Sequence, residues 1–247
     1  LTPDPPSSQS VEESVLRLHA IGALARETDE FTPLGRKLAQ FSFVHPCIGK
    51  LLITGTLLAV RDDVLTIAAA LCVKPILVVP DGEEERTQAT AIHRKLSSET
   101  FSDHHSVLIA SSNWNKARQD LGEVGGTEYA SAHFLSDTNL RALHCMRPTL
   151  VEALASTRVV ALPAATAARR KELQSDSRRM GHLLRAAITS SLMPTVLRGT
   201  LRSGGHTGYC TDDNCRILLH PSSVNAKSAY SDLPSPWLVF SSLMHHE

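Results

Sequence analysis

The greater part of the chain repeats apolar residues with a helical period. Val11, Val15, Leu18, Ile21 and Leu24 recur every three or four positions, which predicts an amphipathic helix with one buried face. Later segments repeat this pattern and predict several further helices. They cover residues 46–60, 62–71, 83–96, 102 to beyond 114, 136–155 and about 183–188.

The residues before the first helix differ in composition. Residues 1–9 are rich in proline and serine, which predicts a linker. Ser10 is followed three residues later by Glu13, the spacing of a capping box, so we expect the helix to begin there. Because Leu1 is not an initiator methionine, we also expect the chain to be an internal or C-terminal piece of a longer protein.

The pattern changes after Thr195, where short apolar runs alternate with turn-forming residues such as Gly204–Gly205. The runs predict strands at residues 196–201, 206–210, 216–219 and 237–240. Several short strands suit a small barrel of the OB type. The sequence therefore predicts a mostly α fold that ends in a small all-β domain.

Composition limits how the chain can interact with other molecules. The 25 Lys and Arg residues balance 25 Asp and Glu residues, so nucleic-acid binding has to come from local patches. Aromatic residues make up 4% of the chain, which argues against a platform of many stacked rings. No apolar run reaches the length of a membrane span, and we expect no membrane contact.

The five cysteines indicate an intracellular reducing compartment: cytoplasm, nucleus or organelle matrix. Their number is odd and their spacing irregular, so we predict reduced side chains that mostly pack as small hydrophobes. Cys210 and Cys215 are the only close pair. Without a second close pair or a spaced histidine pair, we expect no metal site.

Motifs for nucleotide hydrolysis are missing from the sequence. A phosphate-binding loop needs glycine, four residues and then Gly-Lys-Ser/Thr, whereas Gly49–Lys50 is followed by Leu51. There is no Asp-Glu-Ala-His run, no Gly-x-Ser-x-Gly and no His-Glu-x-x-His. We therefore predict that these residues bind no ATP and contain no catalytic residue.

Short motifs follow one another along almost the whole chain. They are Leu18–Leu24 (LHAIGAL), Phe31–Ala39 (FTPLGRKLA), Leu65–Leu71 (LTIAAAL), Ser102–His105 (SDHH), Phe134–Arg147 (FLS…L…MR), His220–Asn225 (HPSSVN) and Pro236–Val239 (PWLV). In this order they resemble the C-terminal region of DEAH/RHA-family ATP-dependent RNA helicases. The Val-Asn that ends HPSSVN is most similar to the RHA-type branch.

The resemblance implies a domain order. A winged-helix domain is expected at residues 10–74, after the linker at 1–9. A helical ratchet domain of the HA2 type is expected at 75–194, with a basic linker at about 156–179. An OB-fold-like barrel is expected at 195–247.

Three candidate RNA contacts lie in the expected ratchet domain. Ser102 and His104 are near the start of one predicted helix, and Arg147 is on the following one. Arg147 can clamp a phosphate with two hydrogen bonds; the alternative is a surface salt bridge. Ser102, together with Asp103, either contacts RNA or caps the helix. His104 either orients a neighbouring loop or is a hydrogen-bonded interface histidine.

The remaining candidate RNA contacts lie in the β domain. His220, Ser222 and Ser223 can donate to phosphates or sugars, or their hydrogen bonds can stabilise a local turn. Arg216 and Lys227 are candidate electrostatic partners of the phosphates. Trp237, like Trp114, is predicted to be a core residue, because large aromatic side chains dominate burial.

The resemblance implies an accessory region that contacts single-stranded RNA, while RecA-like domains upstream hydrolyse ATP with Mg²⁺. Ribonucleoprotein or ribosome-related proteins are possible partners. The alternative is a non-catalytic scaffold of a ribonucleoprotein, built from a degenerate helicase. Thr149 favours it, since the family has Gln at this position and the substitution removes an amide that can meet RNA. The zero net charge favours it too.

Overall fold

In a computed structural model the chain forms two compact units. The first comprises Leu1–Val64 and Val151–Thr195, and the second comprises Leu65–Leu150 and Val196–Glu247. The three-domain division predicted from sequence stays a prediction. The structure describes residues 5–97, 100–159, 177–193, 195–201, 207–211, 215–226 and 228–243.

Helices dominate the described residues, and the strands form one small sheet, which confirms the predicted mostly α fold with a small β domain. None of the described helices is long and apolar enough to cross a bilayer. The helices are α1 (Ser8–Ala20), α2 (Pro33–Leu38), α3 (Pro46–Leu57), α4 (Arg61–Cys72), α5 (Glu83–Leu96), α6 (Asp103–Ala132), α7 (Asp137–Ser156) and α8 (Ser177–Leu192). The strands are β1 (Val196–Leu201), β2 (Thr207–Cys210), β3 (Arg216–Ile217) and β4 (Trp237–Val239).

Helix α1 begins earlier than the capping-box pattern predicted. Ser7, not Ser10, is the N-cap: its backbone is extended, and its Oγ accepts a hydrogen bond from the Ser10 N–H at 3.2 Å. The prediction was wrong because several hydroxyls precede the apolar repeat, and the first one in reach of a free amide caps the helix. The predicted linker at 1–9 therefore includes the start of α1.

The first unit is held together by the packing of α3 against α8. Leu51 and Leu52 of α3 are almost fully buried, and Ile188 of α8 is buried as well. A Cβ atom at Gly55 would lie 2.2 Å from Val64 Cγ2, so glycine is needed where α3 approaches the first turn of α4. Helix α8, predicted as part of the ratchet domain, thus packs on a helix predicted as part of the winged helix.

The second unit is built around the packing of α5 against α6. Ala89 of α5 and Ala110 of α6 are both buried. His93 is 3% exposed, and its Nε2 lies 3.1 Å from the Phe134 carbonyl oxygen, to which it donates. Burial lowers the His93 pKa, so the ring stays neutral and holds the segment that joins α6 to α7.

Helix α6 is broken at Gly122, which has φ 72° and ψ −166°. After the break the chain folds back on the first half of α6. Gly126 then comes so close to Arg118 that an added Cβ atom would lie 2.3 Å from Arg118 Cγ. In a straight helix Arg118 and Gly126, which are eight residues apart, would be separated by about 12 Å along the axis. The break therefore places Glu123 beside side chains from the first half of α6.

The β strands form an antiparallel sheet in the order β3-β2-β1-β4. Strand β1 pairs Arg198 with Cys210 of β2 and with Trp237 of β4. Leu197 and Tyr209 point to the buried face and are 1% and 5% exposed. The predicted turns at residues 203–205 and 212–214 lie outside the described residues.

We expect Gly122→Ala to destabilise the fold by about 1–3 kcal/mol, because the backbone conformation at this position is almost exclusive to glycine. The matched control is Gly181→Ala in the interior of α8, where an added Cβ meets nothing within 4 Å. That change should stabilise by about 0.5–1 kcal/mol. Urea unfolding of the unchanged protein and the two variants measures both changes in the free energy of unfolding. Equal effects of Gly122→Ala and Gly181→Ala would contradict the break at Gly122.

Candidate nucleic-acid interface

The His-Pro-Ser-Ser segment after β3 forms a turn closed by its own side chains. The Ser222 N–H donates to His220 Nδ1 at 3.2 Å, and Ser222 Oγ lies 2.7 Å from the same nitrogen. Because Nδ1 accepts, the proton of neutral His220 lies on Nε2. Ser223 Oγ accepts from the Asn225 N–H at 3.2 Å. The two hydroxyls thus stabilise the turn, and exposed His220 keeps an N–H donor for other partners.

The next residues of this segment are fixed to α5 and α6. The Val224 N–H donates to Asp103 Oδ1 at 2.7 Å, and Arg94 Nε donates to the Val224 carbonyl oxygen at 3.1 Å. Asn225 Nδ2 donates to the Phe101 carbonyl oxygen at 2.9 Å. Val224 is 2% exposed. The N–H and the carbonyl oxygen of Val224 are therefore both hydrogen-bonded within the protein, as a backbone that water cannot reach requires.

The start of α6 combines capping with this contact. Ser102 is the N-cap and accepts from the His105 N–H at 3.4 Å, so the capping alternative for Ser102 is confirmed. Asp103 accepts the Val224 N–H through its carboxylate. His104 is half-buried, and desolvation lowers its pKa. Ser102 and His104 thus lie in the helix turn that meets the β domain.

Arg147 lies on α7 beside a cluster around Trp114. Trp114 is fully buried, as predicted, and its ring centroid is 5.1 Å from that of His144. Burial lowers the pKa of His144, and the positive charges of Arg147 and Arg118 lower it further. Arg147 is half-buried and makes no hydrogen bond or ion pair within the described part of the chain. The salt-bridge alternative for Arg147 therefore finds no partner there.

The other two arginines of the cluster share one carboxylate. Glu123 accepts from Arg118 through Oε1 and from Arg141 through Oε2, and these bonds lower the pKa of Glu123. Arg118 also lies over the Trp114 ring, 4.8 Å from its centroid. Arg141 Nε donates to Asp137 Oδ2 at 2.7 Å, and Trp114 Nε1 donates to Asp137 Oδ1 at 2.8 Å.

A row of residues crosses the exposed face of the β sheet. Residues directly opposite each other in antiparallel strands share a face, so the pairings place Arg216, Cys210, Arg198 and Trp237 side by side. Both arginines are exposed and, among the described residues, neither has a hydrogen-bonded or ionic partner through its side chain. Trp237 is 53% exposed. We call these four residues the sheet row.

The sheet row corrects one prediction and adds a residue. Trp237 was predicted to be a core residue, which was wrong: strand alternation puts Leu238 toward the interior and Trp237 on the opposite face. Arg198 was not predicted, although alternation with buried Leu197 could have indicated its exposure. Arg216, which was predicted, lies at one end of the row.

The predicted site residues fall into separate groups within the second unit. Ser102 and His104 lie near the contact that holds Val224, and the turn of His220, Ser222 and Ser223 directly precedes it. Arg147 lies near His144, whose ring packs against Trp114. Lys227 lies outside the described residues. No group of three or more metal-ligating side chains is present in the ranges that the structure describes.

Known protein families match two parts of the chain. Residues 45–120 match the helicase associated domain (HA2), ratchet-like, and residues 184–246 match an oligonucleotide/oligosaccharide-binding (OB) fold. Each match begins before the domain boundary predicted from sequence. The ATP-dependent DNA/RNA helicase DHX36 of Mus musculus is 32% identical over 96% of this chain. The chain belongs to the DEAH/RHA helicase family.

Other relatives agree with this family. The DExH-box ATP-dependent RNA helicase DExH3 of Arabidopsis thaliana is 30% identical over 96% of this chain and 18% of its own length. The ATP-dependent RNA helicase DHX29 of Homo sapiens is 31% identical over 60% of this chain and 11% of its own length. This helicase region spans 23% of the mouse DHX36 sequence, less than a quarter of that protein.

We expect Asp103→Ala to destabilise the helicase region by about 1–3 kcal/mol, since it leaves the buried Val224 N–H without an acceptor. Asp120→Ala removes an exposed carboxylate from the same helix and should change stability by less than about 0.5 kcal/mol. Chemical denaturation measures both. Asp103→Asn, whose amide oxygen still accepts, should recover most of the loss; failure to recover would argue against this bond.

Proposed function

We propose that this chain is the accessory C-terminal region of an ATP-dependent RNA helicase that contacts single-stranded RNA. RecA-like domains elsewhere in the whole protein would bind ATP and Mg²⁺ and hydrolyse the nucleotide. The chain itself contributes contacts to the RNA backbone and bases, and surfaces for partner proteins. Family membership supports the helicase context, and the contacts to RNA are our proposal.

The sheet row is the observation that carries the proposal. Proteins that bind single-stranded nucleic acid combine aromatic rings, on which bases stack, with cations that follow the phosphates. Trp237 offers an exposed ring, and Arg198 lies directly beside it with Arg216 further along the row. An exposed tryptophan costs hydration free energy in an isolated fold. Its exposure at the end of a row that contains two arginines therefore favours a ligand with flat apolar faces and negative charge.

Arg147 supports the same proposal from the helical part of the unit. Its half-buried guanidinium has no carboxylate partner among the described residues, and partial burial of a charge carries a desolvation cost. A phosphate would supply the missing charge and accept two hydrogen bonds in parallel. Burial is the main cause of the lowered pKa of neighbouring His144, and the positive charges of Arg147 and Arg118 lower it further.

We expect Trp237→Ala to weaken binding of single-stranded RNA by about 1–3 kcal/mol, the value of one stacked base. Trp237→Phe keeps a ring and should retain most of the affinity. Phe43→Ala removes a comparably exposed aromatic side chain from the first unit and is the matched control. Fluorescence anisotropy with a labelled oligouridylate measures all three, and equal effects of Trp237→Ala and Phe43→Ala would exclude the sheet row.

We expect Arg147→Ala to reduce the slope of log affinity against log salt by about 0.7, the contribution of one single-strand phosphate contact. Arg185→Ala, which removes an exposed arginine from α8, changes the net charge equally and should leave the slope unchanged. Anisotropy titrations at several salt concentrations give these slopes. An unaltered slope in Arg147→Ala would remove this residue from the interface.

RNA-stimulated ATP hydrolysis by the whole protein separates the helicase from the scaffold alternative. A helicase should hydrolyse ATP faster with RNA, and Arg147→Ala should weaken this stimulation. A scaffold should show no stimulation while its folded domains remain intact. The second result would overturn the proposed helicase function.

A further inference from the structure

Glu123 occupies a position suited to a phosphate group. Its two oxygens face two guanidinium groups that come from different helices, Arg118 of α6 and Arg141 of α7. A carboxylate and a phosphate present similar pairs of acceptor oxygens to arginine. Glu123 is 59% exposed at its side chain, so another anion can reach the same place from solvent.

The two guanidinium groups are held by partners other than Glu123. Arg118 lies over the Trp114 ring at 4.8 Å, a cation–π contact that does not involve the carboxylate. Arg141 is bound through Nε to Asp137, which is itself fixed by Trp114 Nε1. Because Trp114 is fully buried, this arrangement is anchored in the core of the unit. Each arginine therefore has one contact that does not involve Glu123.

The backbone of Glu123 is separated from the first half of α6 by the break at Gly122. Glu123 follows a residue with non-helical φ and ψ angles, and a Cβ atom at Gly122 would meet nothing within 4 Å. Ion pairs between exposed side chains are weak, so the contact of Glu123 with the arginines can be exchanged at low cost. Glu123 is thus a replaceable ligand of a preformed pair of arginines.

We propose that Arg118 and Arg141 form a phosphate-binding site that Glu123 closes in the absence of ligand. The ligand is a phosphate group of a single-stranded RNA backbone, which displaces the Glu123 carboxylate. Arg147 on the same helix as Arg141 would contact a neighbouring phosphate. This inference rests on the proposed RNA contact, and it adds a regulatory element: bound RNA has to compete with a carboxylate of the protein itself.

The test is Glu123→Gln in the full chain, with Glu128→Gln as the control. Glu128 is an exposed residue on the same helix, so both changes remove one negative charge. Anisotropy with labelled oligouridylate should show severalfold tighter binding for Glu123→Gln. The salt slope should be steeper by about 0.7 because one further phosphate is bound. Glu128→Gln should keep the slope of the unchanged protein.

Two further variants separate the site from a general charge effect. Glu123→Asp keeps the charge but shortens the side chain, and should give an intermediate affinity. It also serves if Glu123→Gln does not fold, which thermal unfolding reveals. Adding Arg118→Lys to Glu123→Gln keeps the cation but removes the two-bond geometry, and should abolish most of the gain.

The outcomes distinguish this inference from the proposed function. Equal slopes for Glu123→Gln and Glu128→Gln overturn the Glu123 inference, while Arg147-dependent RNA binding would leave the proposed function intact. Tripolyphosphate and inorganic phosphate are tested in parallel as free anions. If Glu123→Gln gains affinity for these anions and no variant binds RNA, the anion site stands and RNA as its ligand is wrong.

Discussion

The second unit depends on the pairing of the buried peptide groups of Val224. Water cannot reach this residue, so its N–H and carbonyl need partners within the protein. Asp103 and Arg94 supply them from α6 and α5, and Asn225 adds a bond to Phe101. The segment that follows β3 is fixed to the helices by this pairing. The hydroxyls of Ser222 and Ser223 in the preceding turn form hydrogen bonds to neighbouring residues of the same segment.

The arginines differ in whether the fold supplies each of them with a partner. Arg94 and Arg141 are engaged by the fold, through a carbonyl oxygen and a carboxylate. Arg147, Arg198 and Arg216 have no such partner within the described residues. A chain with zero formal net charge can therefore offer local positive surfaces. Their function depends on which cations the fold leaves unpaired, and the overall charge does not reveal this.

Trp114 is the buried residue around which charged side chains of α6 and α7 are arranged. Its indole is fully buried, donates to Asp137 and lies beneath Arg118. A buried aromatic side chain with a satisfied N–H combines a large apolar contact with one fixed direction. The charged groups around it are thus positioned by contacts within the unit, so the phosphate that we propose as a ligand would meet arginines that are already arranged.

The sequence by itself determined the helices, the strands and the family, because apolar periodicity, caps and short motifs are local properties of the chain. It placed α5 within a residue and identified Ser102 as a cap. Tertiary structure decided that Trp237 is exposed, that Asp103 binds the β domain and that Glu123 joins two arginines. These outcomes depend on the register of the sheet, on the contact between the start of α6 and the segment after β3, and on the break at Gly122. Local patterns carry no information about such pairings.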